Sequence, residues 1–421
     1  MDPDQPGMVI VGAGECGARA ALTLRERGYA GPVTLVGAER HHPYERPPLS
    51  KALARDGGPL TPKTIVSREG LEEAGVTFLA PAEAVGIERA ERRVRLADSA
   101  SIAYDKLLLA TGATSQGLPM AAGLINCVTL RSFDDAVAIR SRLQAGCRIV
   151  IIGGGFIGLE LAATARAAGA EVTVLEAQPR ILRRGVPAEI ALVLHKAHVD
   201  RGVRILCGQA IASIAETVSG VAIRLADGSL VEVDFVVVGI GAKPNVTLAA
   251  AAGLLIDNGI AVDERLRTAD PNIFAAGDCC SFPLSLYGGR RVRLEAWRNA
   301  REQGALAALN MLGEGVSHTA VPWFWSDQYD LGLQVAGLVD EASNVVRRET
   351  DRGGFLLFHQ AADGRLLAAS GIGPGASIGR DIKIAEMLIA RHARPLREAL
   401  GSPDVKLKGL LPPAPASQIS E

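Results

Sequence analysis

Apolar residues fall along this chain in short unbroken runs, and glycines close several of them. Val9-Ile10-Val11 runs into Gly12-Ala13-Gly14-Glu15-Cys16-Gly17, Ala18 to Arg27 reads as a helix stopped by Gly28, and Val33 to Val36 is apolar again. Runs of this kind predict strands buried on both faces, as in a parallel sheet covered by helices. The same order returns at Arg148 to Ile152, Gly153-Gly154-Gly155-Phe156-Ile157-Gly158, a helix over Leu159 to Ala168 and a strand over Glu171 to Leu175. Val94 to Leu96 and Lys106 to Leu109 predict further strands, the second delivering Ala110-Thr111-Gly112-Ala113. Phe235 to Val238 likewise leads into Gly239-Ile240-Gly241-Ala242-Lys243-Pro244, and Asn272 to Ala276 is a strand ending in Gly277-Asp278. From Pro322 the pattern changes. Phe355 to Phe358 and Arg365 to Ala369 flank Asp363-Gly364 as a β-hairpin, Ile378 to Arg391 reads as a helix, and the Pro- and Ser-rich tail from Pro412 to Glu421 reads as frayed.

Twice, then, a strand, a Gly-x-Gly-x-x-Gly turn, a helix and a second strand follow one another. Glycines there let backbone amides approach a pyrophosphate, which sits on the positive end of the helix. Glu176 ends the second unit about where an acid accepts from an adenosine ribose; otherwise it is a solvated strand-end acid. A carboxylate in that place favours NADH over NADPH, with Arg180, Arg183 and Arg184 just beyond as groups that could rescue a 2′-phosphate. Glu39 ends the first unit a residue or two late, as a ribose ligand or a surface carboxylate. Asp278, emerging at a strand end, can accept from a polyol and cap a helix at once.

A length of 421 residues exceeds what one core serves, so several domains are expected. The fold class is α/β: two Rossmann-like dinucleotide-binding domains, one inserted in the other, and a C-terminal α+β domain. The expected boundaries are 1–118 with 245–320 for the first, 119–244 for the second and 321–421 for the third.

Charge narrows the partners. Lys+Arg 45 against Asp+Glu 46 gives a formal net charge of -1, without the cationic excess that nucleic-acid binding needs. No apolar run reaches the ~20 residues of a membrane span, and the start is polar, so neither an anchor nor an export signal is expected. The six cysteines, at 16, 127, 147, 207, 279 and 280, show no metal-ligand spacing. They read as reduced cytoplasmic thiols, with the neighbours Cys279 and Cys280 unlinked and no metal expected.

Several motifs together carry a resemblance over nearly the whole chain: Arg46-Pro47-Pro48-Leu49-Ser50-Lys51, Ala110-Thr111-Gly112, Gly158-Leu159-Glu160, Gly277-Asp278, Arg293-Leu294-Glu295-Ala296-Trp297 and Pro322-Trp323-Phe324-Trp325-Ser326-Asp327-Gln328. The chain resembles the two-dinucleotide flavoprotein reductases, and within them the FAD-dependent, NADH-oxidising ferredoxin reductases that serve P450 and Rieske-type oxygenases. The resemblance implies an FAD site drawn from Gly12, Gly14, Cys16, Gly17, Glu39, Arg46 and Lys51. It adds Ala84, Thr111, Gly112, Arg131, Gly277, Asp278, Trp297 and Trp325. For NADH it implies Gly153, Gly155, Ile157, Gly158, Glu160, Glu176, Gly239 and Gly241. Lys51 and Glu160 are the implied catalytic pair, because an ammonium near the flavin ring stabilises its anionic reduced form and a carboxylate orients that lysine. Trp323 and Phe324 are either core packing or part of an aromatic exit beside Trp325.

The implied activity takes hydride from NADH onto FAD and passes single electrons to a [2Fe-2S] ferredoxin, in a monomer or homodimer. Reduction of a small acceptor, or redox sensing of the apoptosis-inducing-factor type, are the alternatives. Disulfide-reducing relatives carry a cysteine pair where this chain has Pro47 to Lys51, which excludes thiol chemistry there. Arg290, Arg291, Arg293, Arg298 and Arg301 are expected to form a basic docking face.

Overall fold

The computed structural model describes residues 5–51, 53 and 58–413, so the expected fraying beyond residue 413 and the polar start before residue 5 lie outside the described residues. The chain packs as two compact units. One comprises 1–153, 164–172 and 211–319, the other 154–163, 173–210 and 320–421.

In the first unit, Met8–Val11, Val33–Val36 and Lys106–Leu109 join Ile273–Ala275 and Thr77–Leu79 in a parallel sheet. The strand order runs from 273–275 through 106–109, 8–11 and 33–36 to 77–79. Ile10, Leu35, Leu107, Leu108 and Leu109 are fully buried, which is why these strands are continuously apolar. The helix Glu15–Glu26 starts three residues earlier than the sequence predicts, because the last residues of the glycine turn already belong to it. It stops at Arg27-Gly28, where Gly28 takes φ +80 and its amide bonds the Arg25 carbonyl. A second helix, Trp297–Met311, crosses it closely: a Cβ at Gly304 would lie 2.3 Å from the Cys16 carbonyl oxygen.

Three more parallel strands of this unit, Cys127–Thr129, Phe235–Val238 and Arg148–Ile152, pair in that order. Ser132 and Asp135 form a reciprocal cap on the helix Phe133–Arg142 that follows the first of them.

In the second unit Thr173 to Glu176 pair in parallel with the strand Arg204–Cys207. The helix Ala188–Asp200 precedes the latter. The C-terminal part is a five-stranded antiparallel sheet in the order 323–328, 331–337, 366–374, 355–360, 344–349, with the helix Gly379–Ala390 after it. Leu159, Ile181, Ile190 and Leu194 share one core with Leu333, Val335, Leu357 and Ile372. The glycine-rich stretch 371–375 belongs to packing: a Cβ at Gly373 would meet Ser377 Oγ at 2.6 Å and the Gly353 carbonyl oxygen at 2.9 Å. The parallel Rossmann-like strands and the C-terminal sheet agree with the α/β class.

Two buried histidines give the fold a pH dependence. His318 lies edge-on to Phe282 with no hydrogen-bond partner on either nitrogen among the described residues, and His359 bonds Ser370 Oγ at 2.9 Å. Burial pulls each pKa from 6.5 down to about 4. The folded chain therefore keeps both rings neutral where the unfolded chain would protonate them, and stability present above pH 6.5 is lost as pH falls towards 4. Each costs about 2 kcal/mol by pH 5. Urea unfolding should show the stability of His318→Leu relative to wild type improving by about that much between pH 7 and pH 5. A difference that stays constant with pH would contradict the burial of a neutral ring.

Candidate functional site

The first glycine turn is shaped by steric necessity. Gly12 takes φ +114, and a Cβ there would fall 2.1 Å from the Ala110 carbonyl oxygen; one at Gly17 would fall 1.8 Å from the Gly12 carbonyl oxygen. Gly14 differs, since a Cβ there would meet nothing within 4 Å. The turn is thus closed against its own sheet and open on the side where helix amides face outward, the form that admits a pyrophosphate.

Around it, five distant segments interlock. Gly277, with φ +79, places its Cα so that a Cβ would sit 3.2 Å from Cys16 Cβ. Next to it Asp278 accepts from Arg131 Nη2 at 2.8 Å, and both side chains are mostly buried. Arg131 Nε is buried with no hydrogen-bond partner among the described residues. The Arg131 carbonyl accepts from Arg46 Nη1 at 2.6 Å, and Arg46 Nη2 donates to Glu39 Oε1 at 2.6 Å. Tyr44 Oη donates to the other Glu39 oxygen at 2.5 Å. Glu39 is therefore not a lone surface acid: it anchors Arg46, with one-third of its side chain exposed. Gly112 lies beside Arg131, and Thr111 Oγ1 donates to the Asn245 carbonyl at 2.7 Å, so this threonine side chain ties the two crossover segments together.

Other expected residues lie less centrally. Lys51 follows the turn Pro47–Ser50, its amide bonding the Pro48 carbonyl, and is half-buried. Ala84 opens the strand Ala84–Glu88 opposite Leu96. Trp297 begins its helix under the Arg301 guanidinium, 5.4 Å from the ring centroid. Glu15 escaped the sequence reading. Its Oε2 is buried with no hydrogen-bond partner among the described residues, and burial, opposed by Arg301, raises its pKa.

At the second turn, Gly153 takes φ +111 and a Cβ would lie 2.4 Å from the Gly239 carbonyl oxygen. Gly155, like Gly14, has open space where a Cβ would point. Glu176 reaches back to this turn: Oε2 accepts from the Gly154 amide and Oε1 from the Gln178 amide, both at 2.7 Å. Ile157 is exposed and Gly158 buried on the helix that follows. Gly241 takes φ +120, and its carbonyl accepts from the Gln116 amide. Two arginines named as possible phosphate ligands are committed elsewhere. Arg180 donates to the carbonyls of Ile181, Leu182 and Val186, and Arg183 donates to Gln178 Oε1.

Glu160 is buried and accepts from Ser326 Oγ at 2.6 Å. On the strand carrying Ser326, Trp323 and Trp325 stack at 5.3 Å, with Trp325 Nε1 donating to Asp327. Phe324 turns the other way, edge-on to Phe156, and so is packing.

The expected basic face is largely neutralised by its own neighbours. Arg293 pairs with Glu295, Arg298 with Glu302, and Arg291 spends its guanidinium on the carbonyls of Val262 and Ser281, with Asp257 at 3.6 Å. All six cysteines are free thiols. Burial raises the pKa values of Cys16, Cys279 and Cys280, which keeps them protonated and unreactive. Among the described residues no group of acids, histidines or cysteines is arranged to hold a metal ion, and no helix is long and apolar enough to cross a membrane.

FAD fits the first turn on three counts: the open face at Gly14, the unpartnered buried donor of Arg131, and a carboxylate at Asp278 beside it. Comparison with known proteins agrees with this geometry. Residues 6–304 match the family described as pyridine nucleotide-disulphide oxidoreductase, and residues 323–411 match the reductase C-terminal domain. The ferredoxin--NAD(+) reductase component of the anthranilate 1,2-dioxygenase system of Burkholderia cepacia is 43% identical over 96% of this chain and 98% of its own length. Among solved structures, the covalent putidaredoxin reductase-putidaredoxin complex matches with a TM-score of 0.90 at 35% identity, covering 96% of this chain and 98% of that one. The ferredoxin reductase for the CYP199A2 system of Rhodopseudomonas palustris matches at 0.89 and 36%, covering 96% and 99%. With more than half its length in the first match, and a reductase C-terminal domain after it, this chain belongs to the pyridine nucleotide-disulphide oxidoreductase family.

Proposed function

We propose that the protein is an FAD-dependent NADH:ferredoxin reductase whose electrons go to a [2Fe-2S] ferredoxin serving an oxygenase. The observation that carries this is the Arg131 and Asp278 pair, held between Gly112 and Gly277 beside an open glycine turn. The matched relatives named as ferredoxin reductases of dioxygenase and P450 systems support the acceptor. A bound flavin would supply the conversion between the paired electrons of a nicotinamide and the single electrons an iron-sulfur cluster accepts.

The chain's own residues do the rest. Gly12, Gly14 and Gly17 admit the pyrophosphate to the helix amides, with Cys16 walling the turn. Asp278 would accept from the ribityl hydroxyls, Arg131 would supply the cation beside it, and Arg46, fixed by Glu39, braces Arg131 through its carbonyl. Ala84, Thr111, Gly112, Gly277 and Trp297 line the remainder. Gly153, Gly155, Gly158, Gly239 and Gly241 make the nicotinamide nucleotide's turn, under Ile157. Lys51 would supply a cation for the reduced ring of a bound flavin, and Glu160 keeps its proposed part as a catalytic carboxylate and Trp325 as a cofactor-binding ring.

Lys51→Met is expected to retain flavin but to slow its reduction by NADH at least ~10-fold, the scale of a lost charged hydrogen bond. Anaerobic stopped-flow absorbance of the flavin band measures this. A rate equal to wild type would return Lys51 to a surface role.

A further inference from the structure

A chain of buried side chains leads away from Glu160 through the second unit. Ser326 Oγ donates to Glu160 Oε1 at 2.6 Å, and Gln328 Nε2 donates to Ser326 Oγ at 3.1 Å. Gln328 Oε1 meets His198 Nε2 at 2.9 Å, and His198 Nδ1 meets Tyr329 Oη at 3.1 Å. Ser326, Gln328 and His198 are all essentially buried. With the Gln328 amide nitrogen towards Ser326, its oxygen must accept from His198 Nε2–H, so Nδ1 must accept from the tyrosine hydroxyl. Every donor then points towards Glu160, which ends the chain as a pure acceptor. No member can be reversed alone: turning the Gln328 amide would aim its oxygen at Ser326, and the serine hydroxyl would then donate to glutamine instead of Glu160.

The outer end is held at a cost. Tyr329 has φ +56, the left-handed region that a bulky residue rarely adopts. It is fixed there by the face of His198, 4.9 Å away, and by the Arg201 guanidinium 4.4 Å above its ring, itself paired with Asp330 at 2.6 Å. The other titratable group near His198 is His195 on the same helix. Burial, helped by Arg201 and His195, lowers the His198 pKa, so the neutral ring this pattern needs is the stable one.

We infer that His198, Tyr329 and Gln328 are positioning residues that fix the direction of the Ser326 hydroxyl and so hold the Glu160 carboxylate in one orientation as an acceptor, an inference that rests on the function proposed above for Glu160. The test follows the protonated-carboxyl infrared band that Glu160→Gln removes, titrated in the flavin-loaded full chain. His198→Leu should raise the pH at which this band appears by about 1, a tenfold gain in proton affinity, because the Gln328 amide is freed to turn. His198→Gln, which keeps one donor and one acceptor, should stay within about 0.3 of wild type. Tyr329→Phe, at the outer end, should shift it upward as well and serves if His198→Leu does not fold. An unmoved band in His198→Leu or Tyr329→Phe, or a shift in His198→Gln as large as in His198→Leu, would overturn the positioning role. If instead the band moves as expected while Glu160→Gln leaves NADH-driven flavin reduction at the wild-type rate, the relay stands and the proposed role of Glu160 falls.

Discussion

Asp278→Ala is expected to yield a protein that purifies without flavin, whereas the wild type carries about one FAD per chain. The substitution removes the carboxylate proposed to accept from the ribityl hydroxyls and leaves Arg131 without its partner at 2.8 Å. A lost hydrogen bond to a charged group is worth ~1.5–3 kcal/mol, or roughly 10- to 150-fold in FAD affinity. The unpaired Arg131 adds to this, since removing one partner of a mostly buried ion pair leaves the other charge uncompensated. Absorbance of the flavin band against protein concentration measures occupancy, and far-ultraviolet circular dichroism checks that the variant is folded. Wild-type occupancy in a folded variant would reduce the pair to a structural brace.

NADH should exceed NADPH by ~10-fold or more in kcat/KM, on the scale of one charge-assisted hydrogen bond at Glu176. The carboxylate already sits at the turn, fixed by the amides of Gly154 and Gln178, so a 2′-phosphate would meet a negative charge that cannot swing aside without losing both bonds. Of the three arginines just beyond it, Arg180 and Arg183 bond carbonyls and Gln178, which leaves exposed Arg184 as the cation that could offset it. Glu176→Ala should narrow the preference chiefly by raising the KM for NADH. Equal use of both nucleotides by the wild type would refute the assignment of Glu176.

The strands were legible because their residues obey one local rule. Leu107 to Leu109 and Phe235–Val238 are apolar throughout since the strands of a parallel sheet are buried on both faces, and no polar alternation interrupts them. The start of the helix at Glu15 was not legible, because glycine and cysteine have weak helix preference and the turn imposes the helix on them. Nor were the side-chain partnerships. Arg131 and Asp278 lie 147 residues apart, and Ser326 and Glu160 lie 166 apart. Motif resemblance named some of these residues one at a time; only the fold joins them. The expected basic face is offset in part by a local pair, Arg298 with Glu302 one helical turn on, which the spacing does show, and in part by Asp257 beside Arg291, which lies far off in the sequence and which it does not.

The most direct test of the proposed function is the dependence of NADH-driven cytochrome c reduction on an added [2Fe-2S] ferredoxin. The proposed function predicts slow turnover with the reductase alone and a rate that rises steeply and saturably as ferredoxin is added. A rate that ignores added ferredoxin while NADH still reduces the flavin and small acceptors would contradict it, and would make this chain a reductase for a small acceptor.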